Sequence, residues 1–417
     1  MALEGLRCKE CGTSYPLDAR YVCEACFGPL EVAYDHSGLD PEEARRRIQT
    51  GSHGIWRYAD FLPFEERPPS WRHSLEPGLT PLVRADRLAE RLGLGEVWIK
   101  NDAANPTHSF KDRVVTVAIT KARELGFETV ACASTGNLAN AVAAHAAACG
   151  LGSYVFVPAD LEQEKLLATG IYGTSLVGVH GNYDDVNLLC TELCEARPWA
   201  FVNVNLRPYY AEGSKTLAFE IIEQLGWSLP DRIVCPIASG SLFTRIGRAM
   251  SDWLDLGLVS GELPTFNGAQ ADGCSPVAQA FSEGWDACKP QRPDTIAKSL
   301  AIGDPADGPY ALDLARTTQG GVDSVSDEEI RAGIRLLAET TGIFTETAGG
   351  VTTAVLAKLA ERGEIDPAER VVVAITGEGL KTLDAAREGF AITEIEPTVD
   401  AFETRVEAAE ATAAAAY

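Results

Sequence analysis

Asn105-Pro106-Thr107-His108-Ser109-Phe110-Lys111-Asp112-Arg113 sets a single lysine between an extended run and the start of a helix. The Asn-Pro-Thr turn ends the run, because the residue ahead of a proline is biased away from helical backbone. A helix is then expected from about Asp112. Lys111 stands at this loop-to-helix junction, facing a cleft, with Phe110 as an apolar neighbour. A partly desolvated lysine keeps a neutral amine that attacks a carbonyl and forms a Schiff base. Taken alone, Ser109–Arg113 reads equally as an ordinary charged helix start capped by Ser109. The rest of the chain has to decide.

Three further stretches have the form strand, turn, helix or strand, turn. In the first, Val130 to Ala133 suits a short buried strand, Ser134-Thr135-Gly136-Asn137 a turn, and the alanine-rich run from Leu138 to Leu151 a helix. Such a turn aims backbone N–H groups outward. A carboxylate docks on those amides and on the Thr135 hydroxyl, while Asn137 is placed for a phenolic oxygen on a cofactor ring; an N-capped helix without a ligand is the alternative. In the second, the small-residue loop Cys235-Pro-Ile-Ala-Ser-Gly-Ser241 lies between Ile233-Val234 and a helix from about Leu242. It suits a phosphate, but it lacks the spacing of a nucleotide-binding P-loop, so ATP is not expected. In the third, the apolar Val371–Ile375 ends in Thr376-Gly-Glu-Gly-Leu-Lys381, the ligand-facing end of a strand in a parallel sheet. Thr376 there offers a neutral hydroxyl to a pyridine nitrogen.

These elements, with Gly78-Leu-Thr-Pro-Leu82, Glu212-Gly-Ser-Lys-Thr216, Gly342-Ile-Phe344 and Glu346, stand in the order found in the fold-type II pyridoxal-phosphate enzymes, and the chain most closely resembles the threonine synthases among them. The resemblance spans about Gly78 to Lys381. It implies an α/β fold of two open twisted domains with pyridoxal 5'-phosphate in the cleft between them. It also implies that Lys111 is the Schiff-base lysine, that Asn137 contacts the ring hydroxyl, that Ala238, Ser239, Gly240, Ser241 and Leu242 hold the cofactor phosphate, and that Thr376 faces the ring nitrogen. Ser109, Ser134, Thr135, Arg207 and Lys215 are the expected substrate ligands. The sequence departs from the family pattern in the glycine-poor Ala238–Ser241 loop, in Glu378, in Thr347-Ala-Gly-Gly350 after Glu346, and in Asn205-Leu-Arg-Pro-Tyr-Tyr210, where the arginine register is shifted. A guanidinium at Arg207 still presents a planar fork to a phosphate.

The implied reaction is conversion of O-phosphohomoserine and water to L-threonine and phosphate by γ-elimination and β-addition of water. The same scaffold also suits β-replacement on O-phosphoserine, deamination of threonine, or a catalytically silent zinc-ribbon binding protein. With a neutral Thr376 the ring nitrogen need not be protonated, which disfavours full carbanion delocalisation.

Cys8-Lys-Glu-Cys11 and Cys23-Glu-Ala-Cys26 pair two C-x-x-C knuckles across a spacer holding Gly12, Pro16 and Asp18. Four cysteines with no open position point to a structural Zn2+; two disulfides or four unligated thiols are the alternatives. Cys132, Cys149, Cys190, Cys194, Cys235, Cys274 and Cys288 read as thiols of a reducing compartment.

A net charge of -24 disfavours nucleic acid and anionic membrane as partners, so an anionic, phosphorylated amino acid must find a locally positive site. The opening Met-Ala-Leu-Glu-Gly-Leu-Arg-Cys has no apolar leader, and no run approaches the roughly 18 apolar residues of a membrane span, so a cytoplasmic protein is expected. A homodimer follows from the resemblance. The expected organisation is a zinc ribbon over 1–34, and over 35–104 a connector, with Trp56, Phe61 and the Pro68-Pro69 pair, and the first part of the large domain. A small α/β domain over 105–207, the rest of the large domain over 208–395 and a low-complexity tail over 396–417 complete the chain.

Overall fold

The computed structural model describes residues 2–66, 75–161, 163–181, 183–387 and 392–405; the Pro68-Pro69 pair and the alanine-rich end of the tail lie outside them. The strands are β1 (Ala2–Cys8), β2 (Ser14–Tyr15), β3 (Leu30–Asp35), β4 (Leu82–Arg84), β5 (Glu96–Asn101), β6 (Thr129–Ala133), β7 (Gly152–Pro158), β8 (Ser175–Val179), β9 (Ala200–Phe201), β10 (Arg232–Pro236), β11 (Thr265–Ala271), β12 (Gly321–Val325) and β13 (Arg370–Ile375). They form three sheets, ordered β2-β1-β3, β12-β11-β10-β13-β5-β4 and β8-β7-β6-β9.

The six-stranded sheet is parallel except for β4, which runs antiparallel to β5. Its central strands read as apolar runs because both faces are covered: Val371 to Ile375 and Ile233 to Cys235 are buried throughout. In the four-stranded sheet β6 pairs in parallel with β7 and β9. The connecting helices carry apolar stripes that close onto the sheets, as in Ser241–Asp255, which buries Leu242, Phe243, Ile246, Met250 and Trp253. Around Trp253 gather Phe219, stacked at 4.4 Å, and Phe61 at 5.5 Å from the connector.

The ribbon is not a pendant. Leu6, Cys23, Leu30 and Val32 share one buried cluster with Val114, Ile119, Val130 and Tyr209 of the four-stranded unit. The Tyr209 hydroxyl donates to the Asp18 carbonyl at 2.9 Å, and Tyr34 donates to Glu212 at 2.6 Å. No helix among the described residues is long and apolar enough to cross a membrane.

Helix Lys111–Glu124 begins at Lys111, one residue earlier than the sequence suggests. Ser109 does not cap it: the residue at the cap position is Phe110, with no side-chain hydrogen bond. What fixes this helix start is Arg113, which is fully buried. Its guanidinium donates to Asp102 at 2.6 and 2.8 Å and to Glu220 at 2.5 and 2.7 Å, as well as to the hydroxyls of Thr80 and Thr216. Lys100, also fully buried, adds a 2.6 Å contact to Glu220. The amides of Leu79 and Thr80 donate to the Glu220 carboxylate at 2.6 and 3.2 Å, which accounts for the Gly78-Leu-Thr-Pro stretch. Helix Arg207–Gly213 crosses close by, and a Cβ on Gly213 would lie 2.5 Å from the Arg113 carbonyl, so only glycine fits there.

Burial opposes the charge on Glu220, yet Arg113 and Lys100 outweigh it and hold the carboxyl at about 2, below its ordinary 4.5. Because the folded value is the lower one, this contribution to stability is present above the ordinary value and is lost as pH falls toward 2. Arg113→Met leaves Asp102 and Glu220 buried with Lys100 as their remaining cation. Urea unfolding at neutral pH should show a loss of about 3–5 kcal/mol; a loss under about 1 kcal/mol would contradict this account of the helix start.

Candidate active site

Every predicted site loop leaves the carboxyl end of a parallel strand, where open α/β sheets place their ligands. From β5 the chain runs through Asp102–Ala104 into the Asn105 turn; from β6 it enters Ser134–Asn137, from β10 Ile237–Leu242, and from β13 Thr376–Lys381. β10 and β5 are the two neighbours of β13 in the sheet. The loops at their ends are therefore adjacent, although they stand far apart in sequence.

The turn before Lys111 is rigid. Asp112, fully buried, accepts from the Thr107 amide at 2.8 Å and the Thr107 hydroxyl at 2.9 Å, and it contacts His145 Nε2 at 2.7 Å. Asn105 accepts from the Gly78 amide at 2.9 Å. The Lys111 amine is half-buried, 4.4 Å from the Phe110 ring centroid, and donates to the Tyr210 hydroxyl at 3.0 Å. Tyr210 was not foreseen as a site residue. Its signal was its place two positions before Glu212, inside the departure from the family's arginine register.

The strand of residues after β13 laces three segments together. The Phe110 amide donates to the Thr376 carbonyl at 2.9 Å, the Glu378 amide to His108 at 3.2 Å, and the Glu346 amide to Gly377 at 3.1 Å. Thr376 is thereby fixed beside the Lys111 turn, buried at 3% exposure. The Glu378 carboxylate accepts from the Leu380 amide at 2.9 Å, capping the turn that follows.

Asn137 is clamped from both sides. Its amide nitrogen donates to both Glu346 oxygens at 2.9 and 3.1 Å, and its oxygen accepts from Lys381 at 2.8 Å. Lys381 also donates to the Thr107 carbonyl at 2.6 Å. Burial pushes the Glu346 carboxyl above its ordinary range, with Asn137 and Lys381 pulling against it. Burial likewise lowers Lys381, with Glu346 opposing. Neither Glu346 nor Lys381 was assigned a role from sequence, because their partners lie over two hundred residues away.

Helices Asn137–Cys149 and Ser241–Asp255 both begin without a side-chain cap, so their first amides are available to an anion. Ser134 and Thr135 lead into the first of these, and the Ser134 hydroxyl accepts from the Gly136 amide at 3.3 Å. In the second, Gly240 has φ of 92° and faces the Asp307 carbonyl so closely that a Cβ would lie 2.8 Å from it. The Asp307 amide donates to the Ser239 carbonyl at 2.8 Å, and its carboxylate accepts from Arg207 at 3.1 Å. Arg207 is thus tied to the Ala238–Leu242 loop. Lys215, an expected substrate ligand, is ion-paired. It is 2.5 Å from Glu212, with its amine 4.5 Å from the Tyr34 ring centroid, because a carboxylate buried at 1% exposure requires counter-charge.

These residues fit pyridoxal phosphate. The Ser109 hydroxyl is fully buried and has no partner among the described residues, two positions from the Lys111 amine, and an uncapped helix stands at the end of the next strand but one. At the amino end, the sulfurs of Cys8, Cys11, Cys23 and Cys26 all lie within 4.8 Å of one another. Cys8 and Cys26 are 3.4 Å apart and Cys11 and Cys23 3.6 Å, far beyond a disulfide bond. Those spacings suit a tetrahedron of roughly 3.8 Å edge, which metal–sulfur bonds of ~2.3 Å require. The Tyr15 hydroxyl stands 3.0 Å from Cys23.

The family model for pyridoxal-phosphate dependent enzymes matches residues 73–377. A threonine synthase of Methanocaldococcus jannaschii is 39% identical over 91% of this chain and 93% of its own length. One from Methanosarcina acetivorans is 38% identical over 90% and 92%. Among solved structures, diaminopropionate ammonia lyase from Escherichia coli superposes with a TM-score of 0.65 at 18% identity, over 82% of this chain and 92% of that one. Processed threonine deaminase isoform 2 from Solanum lycopersicum gives 0.62 at 21%, over 84% and 90%. These two share the fold. With a family match across most of its length and relatives of this closeness, the chain belongs to the pyridoxal-phosphate-dependent enzymes and stands within their threonine synthase family.

Proposed function

We propose that this protein converts O-phosphohomoserine and water to L-threonine and phosphate. The observation that carries the reading is the Lys111 amine, donating to Tyr210 from a helix start fixed by buried Arg113 and by the Phe110–Thr376 backbone bond, in a chain whose near relatives are threonine synthases. Pyridoxal phosphate, when bound, supplies an aldehyde for Lys111 and an electron sink for the substrate's carbon–hydrogen bonds.

The roles of the chain's own residues follow from their places. Lys111 Nζ, once displaced by the substrate amine, takes the proton from Cα and returns it at the end. The Tyr210 hydroxyl, on the same amine, orients it and passes protons to and from it. Ser134, Thr135 and the uncapped amides at Asn137 hold the substrate carboxylate, and Ser109 supplies a further hydroxyl. Residues Ala238 to Leu242 hold the cofactor phosphate at the start of their helix. Asn137, kept in one orientation by Glu346 and Lys381, meets the ring hydroxyl, and Thr376 meets the ring nitrogen without a charge. Arg207, beside the Ser239 carbonyl's partner Asp307, faces the phosphate that leaves Cγ.

The cysteine cluster holds one structural Zn2+ in this proposal, and its role is to fix the ribbon on the four-stranded unit. Eleven cysteines without a disulfide among them agree with a reducing, cytoplasmic setting.

Purified, cofactor-loaded protein should release phosphate and threonine in equal amounts from O-phosphohomoserine, with a shift of its visible band. Lys111→Ala should lose that band's lysine-dependent form and lower turnover by at least about 10³-fold, and Tyr210→Phe should keep the band while lowering kcat by about 10²-fold. A band that ignores O-phosphohomoserine and answers to O-phosphoserine would move the protein to β-replacement chemistry.

Metal analysis should return one zinc per chain. Its removal by a chelator should lower the thermal midpoint, since binding energy at such a site is folding energy; metal-free protein of unchanged stability would refute a structural ion.

A further inference from the structure

Lys9, between the first two cysteines, is used by none of the chemistry above. Its amide donates to the Pro29 carbonyl at 3.0 Å, and the knuckle closes with the Gly12 amide on Cys8 at 3.1 Å, so its backbone is fixed by the ribbon. The side chain runs inward. The ammonium lies 3.1 Å over the ring of Tyr310, whose hydroxyl reaches back to Glu10 of the same knuckle. Tyr310 is in the first turn of helix Gly308–Thr317, three residues beyond Asp307. Asp307 is the residue that holds the Ser239 carbonyl and the Arg207 guanidinium.

The charges acting on Lys9 are those of Arg245, Asp307, Glu31 and Arg207. Among the described residues no carboxylate comes within 4.0 Å of its amine. Arg245 reaches Glu212 at 3.1 Å and Glu31 at 3.8 Å, and Glu212 is already matched by Lys215. With Glu10 beside Tyr310, four cations and four carboxylates gather here, in a chain whose net charge is -24, and Arg207, Arg245 and Lys215 each have an ion-pair partner while Lys9 has none among the described residues. An anionic substrate needs such an unpaired cation, and through Asp307 the cluster borders the Ser239-Gly240 loop.

We propose that Lys9 reaches from the ribbon to bind, together with Arg207, the phosphate group that the substrate carries and then loses. The inference rests on the reading of a phosphorylated amino acid as substrate. A phosphate-monoester dianion has three acceptor oxygens; Arg207 offers a planar fork to two of them and Lys9 a mobile point charge to the third. The four-cysteine knuckle then has a second task beyond folding, which is to set the Lys9 backbone at the mouth of the cleft.

The test uses full-length, zinc- and cofactor-loaded protein. Lys9→Met keeps the apolar stem over Tyr310 and removes the charge; Lys9→Arg restores a charge. In Lys9→Met, KM for O-phosphohomoserine and the calorimetric Kd for inorganic phosphate should both rise by about 10-fold or more, with kcat changed by less than about 3-fold. Lys9→Arg should recover most of both, with zinc content and the visible band unchanged throughout. Lys9→Met with wild-type KM and wild-type phosphate Kd would overturn the proposal, and so would an equal loss in Lys9→Arg. If the wild type fails to turn over O-phosphohomoserine, the reaction assigned above falls, and the phosphate Kd of the two variants still decides the role of Lys9.

Discussion

Arg113 is the residue on which the placement of everything else depends. A guanidinium with no exposure is tolerable only if its charge and its donors are matched, and here two carboxylates and two hydroxyls meet it. Its partners come from three separate parts of the chain outside its own helix: the Gly78-Leu-Thr-Pro turn, the segment that follows β5 and helix Lys215–Gln224. With Lys100 the set holds two positive and two negative groups, so it is neutral as a whole. Such a set has one low-energy arrangement, and that arrangement fixes the residue two positions earlier, Lys111. A reactive amine needs a defined position more than it needs a strong neighbour.

The second constraint is the shared core of ribbon and four-stranded unit. Leu6 and Val32 of the ribbon sheet and Val114 and Val115 of the Lys111 helix belong to one buried cluster. Helix Arg207–Gly213 lies between them, joined to the ribbon through Tyr209 and Tyr34 and to the Lys111 helix through Gly213. A shift of the ribbon is therefore felt at Tyr210, which touches the Lys111 amine. This geometry joins the four-cysteine knuckle to the Lys111 site through packing rather than through ligands.

Much of this was readable in the sequence, and the reasons are local. The Asn-Pro-Thr turn marks where β5's extended chain stops, and runs such as Val371–Ile375 mark strands buried on both faces, so the loops after them were found in their right places. The four cysteines announced their cluster by spacing alone. What stayed hidden were pairings across the fold. Lys215, expected at the substrate, is paired with Glu212, and Ser109, expected there too, is a buried hydroxyl without a partner among the described residues. The Asn137 clamp joins residues more than two hundred positions apart, and no periodicity records such a contact.

The most direct test of the assigned reaction is turnover of O-phosphohomoserine in water enriched in oxygen-18, with both products examined by mass spectrometry. Elimination at Cγ breaks the carbon–oxygen bond, and water then adds at Cβ. The label is therefore expected in the threonine hydroxyl and absent from the released phosphate. Label in the phosphate, with homoserine as the other product, would mean hydrolysis at phosphorus and would contradict the account.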